Sequence, residues 1–523
     1  MVSLRPLSSL ASYLITSLEE SHPTPQEERR ITVNPIVTKF ASWYERLRNA
    51  MEFREDEVIL RATIERILKR RLLLGGNGKT TAKPLVKELL WARYLPDGDV
   101  GESVVQKIEE IINLHLALRL RILSKYKFPE STINEWTYDL MSSDIQYILN
   151  PKRSKELIAN FMFHVLKDDI MIEDESVETK NAQVFIAVRK AFARDDLAFL
   201  RYHLFCQYFG RLTSKTLDYT AEHFMEGYNE ILRQMNYVNR DKVYTYIKRR
   251  TAAFFIFEDV LESQKANLKT ILENDDSLRD VVFEACAKRY KSISSRVRTA
   301  IIRSVIFILL TKVAFAFFVE GTYERIVYGY IIWSSIIINI SIPPLLMILV
   351  SLFIRTPGQD NSERILSYIT RLLHEEDPVL GNKLLIAKPK TDQGYVTAFN
   401  ILWLLAFILS FGVIDYILTQ LHFNFVSQGV FIFFLAIVSF LSYRISLLAN
   451  VYRVGEKQGL GTLLVDFLFM PVIRVGRNLT TSIAKINIFL MLFDFLIEAP
   501  FKFLFAFFDQ WFYFLHAKTE ELE

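Results

Sequence analysis

A chain of 523 residues is longer than one ordinary hydrophobic core requires, so we expect two or more domains. The formal net charge is only +4, so the overall charge says little about partners, and we expect no nucleic-acid partner. Apolar residues make up 51% of the chain but are unevenly placed. Up to about residue 290 they alternate with charged residues, and from about residue 300 they form long runs.

The chain begins with a mildly apolar segment, residues 1–21. Pro6 and several serines interrupt it, Glu19 and Glu20 close it, and no small-residue cleavage site follows. This pattern predicts an amphipathic helix rather than a signal peptide. Two cysteines some 80 residues apart, Cys206 and Cys286, favour a reducing compartment without disulfide bonds.

The first 290 residues show apolar residues at three- and four-residue spacing, which indicates helices nearly throughout. The clearest examples are residues 56–74, 102–126 and 239–263. We predict a cytoplasmic α-helical domain at residues 1–290, as one bundle or as two sub-bundles meeting near residue 150.

A glycine-rich stretch, LLLGGNGKTTAKP at residues 72–84, ends in Gly-Lys-Thr as a phosphate-binding loop does. Leu73 stands where such a loop requires its first glycine, and the preceding residues are helical in pattern rather than strand-like. We therefore predict that Gly75 to Gly78 end one helix and that Thr80 or Thr81 caps the next. We expect no nucleotide site.

Six basic residues surround this stretch and form a candidate site for the phosphates of anionic lipid headgroups. The alternative is a solvated helix face balanced by Glu55, Asp56 and Glu65. The six residues are Lys69, Arg70, Arg71, Lys79, Lys83 and Lys87.

Metal-ligating residue types occur at two places in the helical half. His203 and Cys206 are one helical turn apart, and Glu222, His223 and Glu226 form a second group. Together they could hold a metal between two helices. We favour ordinary helix surface and core, and we expect no metal, no cofactor and no catalytic residues.

Four apolar segments reach the roughly 20 residues that a helix needs to cross a bilayer. They are residues 300–319, 331–354, 397–418 and 427–448. Lysine and arginine are abundant before the first segment, between the second and third, and after the fourth, and are scarce in the two short links between. This bias predicts a membrane domain at residues 291–455, with both termini in the cytoplasm.

Three charged residues fall within these segments, and such residues are functional candidates by default. Lys312 lies near the middle of the first segment, Asp415 near the outer end of the third and Arg444 near the inner end of the fourth. We predict a structural Lys312–Asp415 pair, and we expect Arg444 to reach the cytoplasmic headgroups. The alternative is an ion or solute path that includes the Pro343-Pro344 pair.

Residues 456–523 carry a phenylalanine-rich run whose polar residues lie on one narrow helical stripe. This pattern predicts amphipathic helices that lie in the membrane interface, and a re-entrant hairpin is the alternative. The stripe residues are Asn487, Asp494, Glu498, Lys502 and Asp509.

These observations predict an all-α protein with a helical cytoplasmic domain, a multi-pass membrane domain and interfacial helices. We expect a membrane-anchored scaffold that binds a protein partner through its N-terminal helical domain, or that organises lipid. A transporter or channel using Lys312 and Asp415 is the second hypothesis. A membrane-bound lipid enzyme using Asp494 and Glu498 is the third.

Overall fold

The computed structural model describes most of the chain. The described residues are 5–20, 30–51, 56–73, 75–173, 175–264, 268–331, 333–378, 380–387, 393–421, 423–455, 460–485, 507–508 and 510–511. They are almost wholly helical, so the all-α prediction is confirmed. The chain divides into two compact units. The N-terminal unit comprises Ser9–Lys248 and Gly381–Ile386, and the C-terminal unit comprises residues up to Ser8, Arg249–Leu380 and Ala387–Asn487.

The N-terminal unit is a bundle of helices joined by short links. A 3₁₀ turn, Lys167–Asp169, follows the seventh helix, and a π-helical turn, Arg189–Ala193, extends the eighth. The helices are α1 Ser9–Glu20, α2 Pro35–Met51, α3 Asp56–Leu73, α4 Gly78–Trp91, α5 Glu102–Lys125, α6 Glu130–Leu149, α7 Arg153–Leu166, α8 Val177–Val188, α9 Leu197–Phe209, α10 Leu217–Met235 and α11 Arg240–Lys248.

Two of the hydrophobic cores in the described part of this bundle share α5 and α6. Met141 and Ile145 of α6 pack into the first core, with α3 and α4. Ile133 and Trp136, which lie earlier in α6, pack into the second core, with α9 and α10. The long helices α5 and α6 therefore connect the two cores. The predicted division near residue 150 stays a prediction.

One small parallel sheet interrupts the helical pattern. Strand β1, Ile170–Ile172, pairs with β2, Leu384–Ile386, with Ile170 opposite Leu384. The pairing joins the segment Gly381–Ile386 to the N-terminal unit, although it lies far along the chain.

The C-terminal unit contains long apolar helices. Its helices are α12 Thr251–Ser263, α13 Leu268–Glu273, α14 Asp275–Phe315, α15 Thr322–Val327, α16 Trp333–Ser351, α17 Gln359–His374, α18 Gln393–Gln420, α19 Phe425–Ala449 and α20 Leu460–Lys485. A π-helical turn, Ala316–Gly321, joins α14 to α15. The predicted domain boundary at residue 290 lies inside α14 and stays a prediction.

Three helical runs among the described residues are long and apolar enough to cross a membrane. They are Asp275–Val327, Thr397–Gln420 and Phe425–Ala449, which contain the first, third and fourth predicted segments. The second predicted segment is represented by the shorter apolar stretch Ile336–Ser351. Its helix α16 continues through Pro343 and Pro344.

Helix α20 packs against α18 and α19 in the same unit. At the crossing with α19, a Cβ atom on Gly476 would lie 1.9 Å from the carbonyl oxygen of Ala436. Only glycine permits so close an approach of two helix backbones, and membrane helices often pack in this way. The interfacial role of residues 456–523 stays a prediction. All five residues of its polar stripe lie outside the described residues.

Candidate functional site

A buried stripe that includes three charged residues runs along the C-terminal part of the first long helical run of the C-terminal unit. Ile308, Lys312, Ala316, Glu320 and Glu324 follow one another at four-residue steps, and each is at most 1% exposed. In a regular α-helix, a residue four positions further along lies about 40° further around the helix axis. Residues at this spacing therefore do not stay on one face over several turns. The π-helical turn Ala316–Gly321 holds more residues per turn, which reduces this offset.

Lys312 and Glu320 form a fully enclosed ion pair on this stripe. Lys312 Nζ donates a hydrogen bond to Glu320 Oε1 at 2.8 Å. Asn339 Nδ2, from α16, donates to the second oxygen, Glu320 Oε2, at 2.6 Å. Lys312 Nζ also lies 5.0 Å from the centroid of the Phe434 ring of α19, a cation–π distance. The polar cluster Lys312–Glu320–Asn339 therefore connects the first helical run to α16, and the Phe434 contact adds α19.

The predicted Lys312–Asp415 pair is wrong, because Lys312 binds Glu320 of its own helical run. Asp415 is exposed on α18. The charges of residues 320–325 led us to expect a link outside the membrane. In the structure the helix continues to Val327 and turns both Glu320 and Glu324 inward. The repeated four-residue spacing from Ile308 onward is the signal in the sequence that could have identified them.

A second polar contact lies one turn beyond the ion pair. The side chain of Glu324 is buried and accepts a hydrogen bond from Asn424 Nδ2 at 3.4 Å. Asn424 also caps α19, since its Oδ1 accepts from the Ser427 amide at 2.8 Å. Among the described residues, Asn339 Oδ1 and Ser427 Oγ are buried without a hydrogen-bond partner.

The remaining charged candidate in this unit, Arg444, is exposed on α19. Its guanidinium lies 6.0 Å from the Phe440 ring centroid, so its contacts are with the helix surface. The expectation that it reaches headgroups stays a prediction.

The glycine-rich stretch forms a helix end and a helix start. After α3 ends at Leu73, Gly75 adopts a φ of +81°, a conformation that glycine adopts without strain. Asn77, rather than Thr80 or Thr81, is the N-cap of α4, and Thr80 completes a reciprocal capping box with it. Gly78 has a close-packing role, because a Cβ atom there would lie 2.3 Å from the Glu109 carbonyl oxygen.

Backbone amides of this stretch are already bonded within the protein. The Gly78 amide donates to Asn113 Oδ1 at 2.9 Å, and the Asn77 and Thr80 amides donate within the capping box. A phosphate-binding loop leaves such amides for the ligand. The described part of the stretch therefore caps helix α4, and its amides are used within the protein.

Most of the surrounding basic residues are paired with carboxylates. Arg70 and Arg71 both bind Glu88, at 2.5 Å and 2.6 Å. Lys69 binds Glu65, and Lys83 binds Glu102. Lys87 is half-buried and Lys79 is exposed. These pairs reduce the positive charge available to a phosphate and support the alternative of a charge-balanced helix face, with Glu88 and Glu102 as additional acids.

The structure does not bring the candidate metal ligands together. His203 Nε2 lies 2.6 Å from Arg189 Nη2, and burial together with this arginine holds the pKa of His203 well below its usual range. His223 bonds to its own helix, at the Tyr219 carbonyl. Within the described ranges, no group of three or more His, Cys, Asp or Glu side chains could hold a metal ion.

No protein-family model matches this chain, and neither a curated protein nor a solved structure is found to be similar to it. Arguments about function therefore depend on the geometry described above.

Proposed function

We propose that this protein is a membrane-anchored helical scaffold, whose N-terminal unit binds a protein partner at the cytoplasmic face. The observation that carries the proposal is the Lys312–Glu320–Asn339 cluster, in which ammonium and carboxylate satisfy each other with no exposure to solvent. A conducting path needs polar groups that water or a solute can reach. A closed cluster instead fixes α16 against the first helical run, through the hydrogen bond from Asn339 to Glu320.

A fourth crossing by α16 belongs to this proposal. Helix α16 contacts α14 through Asn339 and Glu320, and contacts α19 where Ser442 Oγ lies 3.3 Å from Met347 Sδ. Its 19 residues extend roughly 28 Å, close to the hydrocarbon thickness of a bilayer. With four crossings, the distribution of basic residues keeps the N-terminal unit, residues 355–392 and the C-terminus in the cytoplasm.

The partner-binding role follows from what the N-terminal unit offers. Its charged groups are largely paired internally, and its cores are helix-packing cores. Its exposed surface includes large apolar side chains such as Leu120 and Val238. Contact through helix surfaces of this kind is typical of binding modules.

In-membrane photo-crosslinking of the intact protein tests this role. A photoreactive residue at Leu120 or Val238 should capture one defined protein, identified by mass spectrometry. The same residue at Phe399, on the exposed apolar face of α18, is the matched control and should capture lipid. Capture of lipid alone, or of further copies of the chain alone, from Leu120 and Val238 would contradict the scaffold.

A transporter or channel is the second candidate, favoured by the buried, unpartnered Asn339 Oδ1 and Ser427 Oγ among the described residues. These oxygens could accept hydrogen bonds from a solute. Solute flux into vesicles containing the purified protein would support it, particularly if Asp415→Asn abolished the flux without unfolding the protein. For the lipid-enzyme hypothesis, Asp494 and Glu498 lie outside the described residues.

A further inference from the structure

A cavity of about 490 Å³ lies within the N-terminal unit, between α1, α7, α8 and α9. Its size falls in the range of small-molecule binding sites, roughly 300–1,000 Å³. Aromatic side chains form much of its wall, among them Tyr13, Phe161, Phe163 and Phe185. The cavity belongs to none of the sites considered above.

Glu178 and Asn181 of α8 are among the polar residues that line the cavity. They are three residues apart, so their side chains share one face of the helix. Asn181 Oδ1 is buried without a hydrogen-bond partner in the described part of the chain. The Glu178 carboxylate is exposed, so it is the acceptor of this pair that a ligand can reach.

Glu178 is the one acidic residue among the described residues that line the cavity, and none of them is a lysine or an arginine. Hydrogen bonds from its own backbone amide and from Ser176 lower the pKa of Glu178, which keeps its carboxyl ionised. Burial, with a further contribution from Lys167, lowers the pKa of His164, so this imidazole is neutral at pH 7.

We propose that this cavity binds a small organic ammonium compound with an apolar body. The ammonium group would donate to the Glu178 carboxylate, and the apolar body would pack against the aromatic wall. Aromatic faces also attract cations directly. An anionic compound would meet the Glu178 carboxylate without a compensating basic side chain among the lining residues.

Calorimetric titration of the full-length protein in lipid nanodiscs tests this site with three matched probes. 4-Phenylbutylamine carries the positive charge, 4-phenylbutanol is neutral and 4-phenylbutyrate is negative. We expect the amine to bind saturably, the alcohol more weakly by about tenfold, as loss of a charge-assisted hydrogen bond implies, and the acid not at all. Equal binding of amine and alcohol, or no saturable binding of the amine, would overturn the proposal.

Three variants test whether the amine binds in this cavity. Glu178→Gln, at an exposed position, should weaken binding of the amine about tenfold and leave binding of the alcohol unchanged. Glu226→Gln, on the exposed surface of α10, is the matched control and should change neither. Ala182→Phe fills the cavity and should abolish binding of both probes, with circular dichroism checking that each variant is folded. Amine binding that survives both Glu178→Gln and Ala182→Phe would place it elsewhere and refute the site.

Discussion

Buried charges of the N-terminal unit have several partners each, whereas Lys312 in the C-terminal unit meets a single carboxylate. Arg189 donates to both oxygens of Glu156 and to Asp195, and its guanidinium is almost completely buried. Arg61 binds Glu65 and Asp196 in the same manner. The Lys312–Glu320 pair has 0% exposure on both sides.

This difference sets how each unit should respond to losing a charge. An arginine presents five donors, so it keeps a partner when one carboxylate is removed. Glu156 is also partly exposed, and water can replace part of a lost bond. Lys312 and Glu320 have no such access, so the remaining charge stays buried. We therefore expect the C-terminal unit to be the more sensitive.

The largest effect should come from Lys312→Met, which leaves Glu320 buried beside Asn339. Breaking a buried ion pair by removing one partner costs about 3–5 kcal/mol of stability. Replacing both partners, as in Lys312→Met with Glu320→Gln, keeps an acceptor for Asn339 and removes both charges. We expect the double variant to recover most of the loss in chemical unfolding experiments in detergent. A single variant as stable as the native protein would contradict a structural pair.

Glu156→Gln should destabilise the N-terminal unit by a smaller amount, about 1–3 kcal/mol, because Arg189 keeps Asp195 as a partner and water can reach position 156. Glu230→Gln is the matched control. Arg233 pairs with Glu230 on the exposed face of α10, and such pairs contribute about 0–1 kcal/mol. Hydrogen exchange of α8 and α9 measures both effects. An equal loss of hydrogen-exchange protection in the two variants would contradict the expectation that a buried ion pair contributes more stability than an exposed one.

Stability of the N-terminal unit should fall as the pH rises from about 4 to about 6. Burial raises the pKa of Asp139 from 3.8 to about 6, against the lowering by Arg201. The folded protein then holds a proton that the unfolded chain releases. The stabilisation by this proton is fully present below the pKa of Asp139 in the unfolded chain. It is lost as the pH rises through the pKa of Asp139 in the folded protein.

Asp139→Asn, which keeps the side chain neutral, should flatten this pH dependence by about 1–3 kcal/mol. Hydrogen exchange of α6 in the full-length protein at pH 4.5 and pH 7, corrected for intrinsic rates, measures it. An unchanged pH dependence in Asp139→Asn would contradict the assignment.

The smallest effect concerns the glycine-rich stretch, where neighbouring residues have different roles. Thr80→Ala removes one half of the capping box of α4 and should cost about 1 kcal/mol. Lys79→Ala removes an exposed side chain and should be near neutral. Hydrogen exchange of the first turn of α4 distinguishes them. A Lys79→Ala variant as destabilised as Thr80→Ala would contradict the cap.

Periodicity and apolar run length predicted much of this architecture. Apolar residues at helical spacing identified helices such as α3 and α5, and apolar runs identified the three membrane-length helices. Gly75 was correctly placed at a helix end, because positive φ is a local property of the chain. Local chemistry was enough in these cases.

The buried contacts were harder to predict because they depend on packing between distant segments. The end of the apolar segment at residue 319 placed Glu320 in a short link, although Lys312 neutralises its carboxylate and Asn339 donates a hydrogen bond to it. Glu178 belongs to a cavity only because α1 and α7, from earlier segments of the chain, supply the other walls. Periodicity predicts which face of a helix is buried, but not which partner covers it.

Cysteine labelling in intact cells tests the anchor most directly, through the crossing by α16. Tyr330→Cys and Gly358→Cys place one exposed thiol at each end of this helix, and the native protein, whose Cys206 is partly buried and Cys286 buried, is the background. We predict that a membrane-impermeant maleimide labels Tyr330→Cys in intact cells and labels Gly358→Cys only after the membrane is opened. Labelling of both positions from the same side would show that α16 does not cross, and would contradict the four-crossing anchor.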